Sequence, residues 1–358
     1  MTVVDPIKTP WGVDADGRPV YRIVAPRPEW LALVHEAALE PELPIIDPHH
    51  HFWEHHGNYL LDELLVDLNS GHRVLGTVYL QCGYAYETGA PPELQPVGET
   101  AFAARVARDA EQRANAPKVC AGIVAYADMT LGDAVKPVLE AHARAADGRL
   151  RGIRHITALH AGFSASLLGR PRAGLMAEPA FRRGLAQLQA MGLSFDAWLY
   201  HTQIGELIDL ARAMPELPIV LDHLGGPIGV GPYTGRRDES RRECMEALAA
   251  LAPYPNVHLK LGGLSMTMIG FEFQERAVPP GSEELAQAWR PYIEPAIELF
   301  GAQRCMFESN FPVDSAVCSY RVLWNAFKHI TAQASTDDKA WLYAGTADRF
   351  YRLGLLPH

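Results

Sequence analysis

The 358-residue chain contains no run of about 18 apolar residues, so no transmembrane helix is expected. Its first twenty residues, MTVVDPIKTPWGVDADGRPV, lack a basic stretch followed by an apolar core, so no secretory signal is expected. Basic residues are in deficit: 32 Lys and Arg stand against 42 Asp and Glu, a formal charge of −10. Nucleic acid, which selects basic patches, is therefore not an expected partner. Cysteine is scarce. The five thiols, Cys82, Cys120, Cys244, Cys305 and Cys318, are odd in number, scattered and without a CxxC pair. That usage suits a reduced, cytoplasmic protein rather than a disulfide framework. Charged residues make up only 21% of the chain and hydrophobic ones 48%, which excludes disorder as the main state.

What the chain has is length, apolar strand-like runs and fifteen histidines. Eight short runs recur: 43–50, 73–82, 119–128, 150–159, 193–201, 217–226, 256–264 and 304–312. They are continuously apolar rather than alternating, as strands buried on both faces should be. Helical patterns lie between them at 99–115, 132–146, 179–192, 202–216, 236–252 and 289–301, with another in the last stretch to Tyr351. Alternation eight times over predicts an α/β fold, a (β/α)8 TIM-like barrel over 41–358, with an N-terminal extension at 1–40 packed on it. Three long βα connections, 83–98, 161–177 and 266–284, are expected at the C-terminal face, where barrel sites sit.

The first run ends Asp47-Pro48-His49-His50-His51-Phe52-Trp53. On a strand, residues i and i+2 face one side, so His49 and His51 should point together into the rim. Two such imidazoles could chelate a metal or polarise a carbonyl. Other strand ends carry Arg154-His155, His201, His223 and Lys260, and the eighth carries Glu308 and Asn310 on one face. Glu308 could bind metal or take a proton from water. Arg154, and more weakly Lys260, could bind a substrate carboxylate. Trp53, Tyr200 and Phe271 are candidate pocket walls. The remaining histidines, including His55 and His56, have no such placement.

The segments DPHHHFW, RGIRH, VLDHLGG and FESNFPVD, in this order, resemble the amidohydrolase superfamily, and more closely its "amidohydrolase 2" branch. That branch holds lactonases of pyrone dicarboxylates and sugars, sulfomuconolactone hydrolase and related decarboxylases. The resemblance runs from about Leu43 to Leu353. It implies that His49 and His51 are the first-strand pair and that His223 orients or activates the carbonyl or the water. His201 falls where metal-using members keep a further ligand, which implies Zn²⁺ or another divalent ion on His49, His51 and His201. One position departs: Asn310 stands where the branch usually has Asp, and a carboxamide cannot accept a proton at neutral pH. Either Glu308 then supplies the carboxylate, or His223 is the base with Asn310 only hydrogen-bonding. The expected activity is hydrolysis of a lactone or cyclic ester of a small carboxylic acid. Two alternatives stay open: a metal-dependent non-oxidative decarboxylase, and a catalytically inactive ligand-binding barrel. The expected partner is a small molecule, not a membrane. A homo-oligomer is compatible with such a barrel, though no interface is marked in the sequence.

Overall fold

The structure, a computed structural model, describes residues 8–165 and 171–357. Eight strands form one parallel sheet: β1 Pro44–His50, β2 Arg73–Leu80, β3 Lys118–Ala125, β4 Leu150–Ile156, β5 Ser194–Trp198, β6 Ile219–Leu221, β7 Val257–Leu261 and β8 Cys305–Phe307. They neighbour one another in sequence order. The sheet nearly closes on itself: the His51 N–H donates to Phe311 O at 2.8 Å and the Asn310 N–H to His49 O at 2.9 Å. The expected (β/α)8 barrel is thus present, and each strand begins within two residues of its apolar run. Among the described residues, no helix is long and apolar enough to cross a membrane.

A helix follows every strand: α1 Leu61–Leu68, α2 Val97–Glu111, α3 Lys136–Ala145, α4 Pro179–Ala190, α5 Ile204–Ala213, α6 Arg237–Leu251, α7 Ser282–Phe300 and α8 Tyr320–Ile330. Two differ from the sequence reading. The α1 helix has only two buried side chains, Leu64 and Leu68, too few to give a long periodic signal. The α7 helix starts seven residues before the predicted 289, within what reads as loop, and continues through Pro291 and Pro295. Proline removes one backbone donor; here Tyr292, Ile293 and Ala296 bury the inner face and hold the helix together while Pro291 is exposed.

The barrel interior is built in two layers. Ile46, Val78, Val124, Val220 and Met306 form an apolar layer with Ala344, Ala347, Phe350 and Tyr351 from the C-terminal end of the chain. These last residues stopper the barrel from below. Above lies a polar layer from β5 to β8 and the residues just past their ends: Asp196, Asp222, Lys260 and Glu308 are each fully buried. In β1, Ile46 belongs to the apolar layer and His49 to the polar one, an odd spacing that simple alternation forbids. A register irregularity between Asp47 and His50 supplies the missing half-step. It turns His50 away, toward Thr77 Oγ1 at 2.9 Å.

The residues before β1 lie along the barrel. Val20–Tyr21 pairs in parallel with Ser164–Ala165. Trp30 is fully buried, and its Nε1–H donates to Arg276 O at 3.1 Å.

Candidate active site

Glu308 organises the polar layer. Its Oε2 lies 2.6 Å from His49 Nδ1 and its Oε1 2.7 Å from His223 Nδ1, while the His223 backbone N–H also donates to Oε1 at 3.2 Å. A carboxylate is acceptor-only, so the His223 ring carries its proton on Nδ1 and leaves Nε2 as a bare lone pair. The same holds for His51, whose Nδ1–H donates to Leu80 O at 2.8 Å. Nε2 of His51 lies 3.2 Å from Nε2 of His49.

Two cations flank this arrangement. Lys260 Nζ sits 3.0 Å from Asp196 Oδ2, 3.0 Å from Asp222 Oδ1 and 3.3 Å from His49 Nδ1. Tyr351 braces Asp196 from beneath, its hydroxyl donating to Oδ2 at 2.5 Å. Arg154 reaches His49 Nε2 at 3.2 Å and Asp222 Oδ2 at 3.7 Å, and its other terminal nitrogen donates to Gln81 O.

Burial sets the protonation states. It holds His49 and His51 well below the ordinary imidazole range and His223 down to about 3, with Arg154 and Lys260 adding to the effect. All three rings are therefore neutral near pH 7. Burial pushes Glu308 up to about 7, opposed by Lys260. Burial alone would lower Lys260, but Asp222, Asp196 and Glu308 outweigh it and raise the ammonium above its usual value.

The backbone at His223 is unusual. His223 and Leu224 both have φ of +55°, followed by Gly225 and Gly226 at +70° and +54°. Left-handed residues in succession are costly and cluster at functional sites. The turn drives the His223 ring against β7, where only glycine fits. A Cβ on Gly263 would lie 2.5 Å from His223 Nδ1, and one on Gly262 would overlap the Glu308 side chain.

Above the polar layer opens a cavity of about 320 Å³. His51, Arg154, His223 and Asn310 line its floor side; Trp53, Trp198, Met266 and Met268 line its walls. Asn310 is left-handed at φ +54°, which asparagine tolerates better than most residues. Its Nδ2 donates to Asp314 Oδ1 at 2.9 Å, so its carbonyl oxygen is the atom left for the cavity.

The candidate residues from the sequence separate into two groups. His49, His51, His223, Glu308, Asn310, Arg154, Lys260 and Trp53 come together at one end of the barrel. Glu308 and Lys260 lie beneath the floor and do not line the cavity, so neither is placed to meet a water there. His201, Tyr200 and Phe271 are elsewhere. The β5 strand ends at Trp198, and a short turn at His201–Gln203 carries His201 past the rim. Its Nδ1 accepts the Ile228 N–H at 3.2 Å, its ring packs on Tyr233 at 5.3 Å, and its Nε2 lies 3.6 Å from Glu243. Tyr200 packs between Phe163 and Trp198 without lining the cavity. Phe271 stacks on Phe273 at 5.4 Å beneath the Arg237 guanidinium.

Other residues join that the sequence reading passed over. Asp222 and Asp196 complete the charge network; each shares its strand face with an inward neighbour, the same alternation that exposes Glu308. His55 and His56 line the cavity, as does Arg22 from the N-terminal segment. Their signal is only nearness to the first-strand loop, or absent. Among the described residues, His49, Asp222 and His223 form a group whose ligand atoms lie within 4.8 Å of one another and could hold a metal ion; His201 is not part of it.

Comparison with known proteins agrees with this architecture. Residues 46–353 match the sequence profile described as Amidohydrolase. The chain is 31% identical over 336 residues to the uncharacterized protein y4mH of Sinorhizobium fredii, covering 87% of this chain and 99% of that one. It is 27% identical over 318 residues to an L-fucono-1,5-lactonase of Burkholderia multivorans, covering 86% and 96%. A crystal structure of a zinc-bound amidohydrolase from Burkholderia multivorans superposes with a TM-score of 0.67 at 24% identity, covering 87% and 99%, which bears on the fold.

Proposed function

Because the chain belongs to the amidohydrolase family and is a hydrolase, we propose that its reaction is the opening of a lactone by water. The observation that carries this reading is His223: a neutral imidazole, proton fixed on Nδ1 by buried Glu308, with Nε2 free beside the cavity. That is the preparation a general base needs. Water adds to the lactone carbonyl as His223 Nε2 takes its proton. The Arg154 guanidinium, fixed by Gln81 and Asp222, faces the charge that develops on the carbonyl oxygen. The C–O ring bond then breaks, and His223 returns the proton to the leaving ring oxygen. The product is the open hydroxy acid. Asn310 orients the water through its carbonyl oxygen and takes no proton, which accounts for a carboxamide where the branch usually has Asp.

The donor set also fits a divalent ion. The 3.2 Å between the Nε2 atoms of His49 and His51 is close to the edge of a zinc tetrahedron, about 3.3 Å for bonds of ~2.0–2.1 Å. His49 and His51 would hold it with Asp222 alongside, Arg154 would release His49 Nε2, and His223 Nε2 would stay free for the water. Zn²⁺, present in the Burkholderia neighbour, would supply Lewis-acid polarisation of the carbonyl. Protein purified without added metal is expected to carry zinc near one equivalent by elemental analysis, and chelation to lower turnover. Less than about a tenth of an equivalent with full activity after chelation would exclude this role.

The reaction itself is tested by a lactone panel followed in a pH-stat, with CO₂ release from aromatic and enoic acids measured in parallel. Acid release matched by the open hydroxy acid is the expected result. CO₂ without ring opening would replace hydrolysis by decarboxylation, and no turnover of either class would leave a binding barrel.

A further inference from the structure

The cavity is cationic in an acidic protein. Among the described residues, no Asp or Glu lines it, whereas Arg22 and Arg154 do, beside the neutral rings of His51 and His223, in a chain of net charge −10. Its remaining walls are mostly apolar: Ile23, Trp53, Ile156, Trp198 and Met268 are examples. A polyhydroxylated ring needs a donor or acceptor for each hydroxyl, because a buried polar group left unpaired is costly. Here Trp53 Nε1, Ser265 Oγ and Arg154 Nε are buried without a partner and could meet a carbonyl or a hydroxyl, but they stand among apolar walls and other polar groups are already engaged. The Thr267 hydroxyl donates to Arg22 O at 3.2 Å and Asn310 Nδ2 donates to Asp314. The chemistry of the walls suits a flat apolar ring, and the charge suits an anion.

The two arginines are not equivalent. Arg154 is buried and held by Gln81 O, His49 and Asp222. Arg22 is exposed at the cavity wall, and no ion pair to it is found among the described residues. Its backbone is nonetheless fixed: its carbonyl accepts from Thr267, and its neighbour Tyr21 packs on Phe163 at 5.7 Å. Arg22 also lies outside the 46–353 match, in a segment that this chain adds to the family barrel.

We propose that Arg22 is a specificity-determining residue: it binds an anionic group, such as a carboxylate, on a substrate whose ring is apolar, while Arg154 serves the reacting carbonyl. The inference rests on the lactonase reading for which bond reacts, and its recognition part can be measured without turnover. The first arm compares dihydrocoumarin, a carboxylate-bearing dihydrocoumarin and D-glucono-1,5-lactone. The wild-type protein should prefer the carboxylated ring over the neutral one by about tenfold in kcat/KM, the scale of a charge-assisted hydrogen bond. Arg22→Gln should bring that ratio close to one, acting on KM. Preference for the sugar lactone, or a ratio unchanged in Arg22→Gln, overturns the proposal.

The second arm is binding of benzoate and of benzyl alcohol, read by calorimetry. Benzoate should bind more tightly, lose about tenfold in Arg22→Gln, recover part of it in Arg22→Lys, and weaken with salt. Benzoate binding to Arg22→Gln as to wild type overturns the proposal. If no lactone turns over while benzoate still depends on Arg22, the lactonase reading fails and the anion site stands.

Discussion

His223→Ala is expected to lower kcat for lactone hydrolysis by about 10²–10⁴-fold, the usual contribution of a positioned general base. The KM should change little, because the ring acts on the water and the leaving oxygen rather than on the substrate's body. Turnover measured in a pH-stat and a thermal melt on the same preparation give the two readings. The substitution removes a left-handed residue whose ring is wedged against Gly263, so some loss of stability accompanies it. A folded variant with near-normal kcat would remove His223 from the mechanism. It would shift the burden to a group that meets the cavity directly, among which His51 and Asn310 remain.

Glu308→Gln should cost a comparable factor, about 10²–10⁴ in kcat, without leaving an empty space. The isosteric amide keeps the volume but has one acceptor where the carboxylate has two. His223 donates an Nδ1–H to Glu308 Oε1, and the other oxygen lies 2.6 Å from His49 Nδ1. If the NH₂ group of the variant faces His223, donor stands against donor, the ring must move its proton to Nε2, and the base is lost. The variant also removes the negative charge that would balance an imidazolium formed during the reaction. Glu308 touches neither cavity nor substrate, so it is a positioning residue. A fall in kcat at unchanged KM and intact melting would mark that role, whereas a purely structural defect would show as lost folded protein.

Much of this arrangement is legible in the sequence, because parallel barrel strands advertise themselves. Continuous apolar runs such as Leu217–Leu221 have no other good use, and polar residues at their C-terminal ends fall at the rim by construction. His49, His51, His223, Glu308 and Arg154 follow from that rule. The rule weakens where a strand ends early. His201 stands only three residues beyond the end of β5, yet the intervening turn removes it from the site. Alternation gives the pairing of His49 with His51 but not the irregularity at Pro48 that brings them in above Ile46. Asp196 sits mid-strand, where an acid reads as an interruption until Lys260 and Tyr351 are seen to enclose it. Arg22 leaves no trace in periodicity, since a loop residue's position depends on contacts such as the Thr267 hydrogen bond.

The stopper at the base of the barrel carries a consequence for how the protein comes into being. The polar layer needs both β1 and Tyr351, whose hydroxyl braces Asp196 across 155 residues of sequence. The ring also closes only when the segment after β8 reaches back to His49 and His51. On the ribosome, where domains generally fold as units as they emerge, this barrel has no early half that could work alone. Until Tyr351 docks, Lys260 lacks its completed counter-charge frame, and until the segment after β8 reaches back the first-strand histidines lack their neighbour. Catalytic competence therefore arrives only when the ring is both closed and stoppered, all at once.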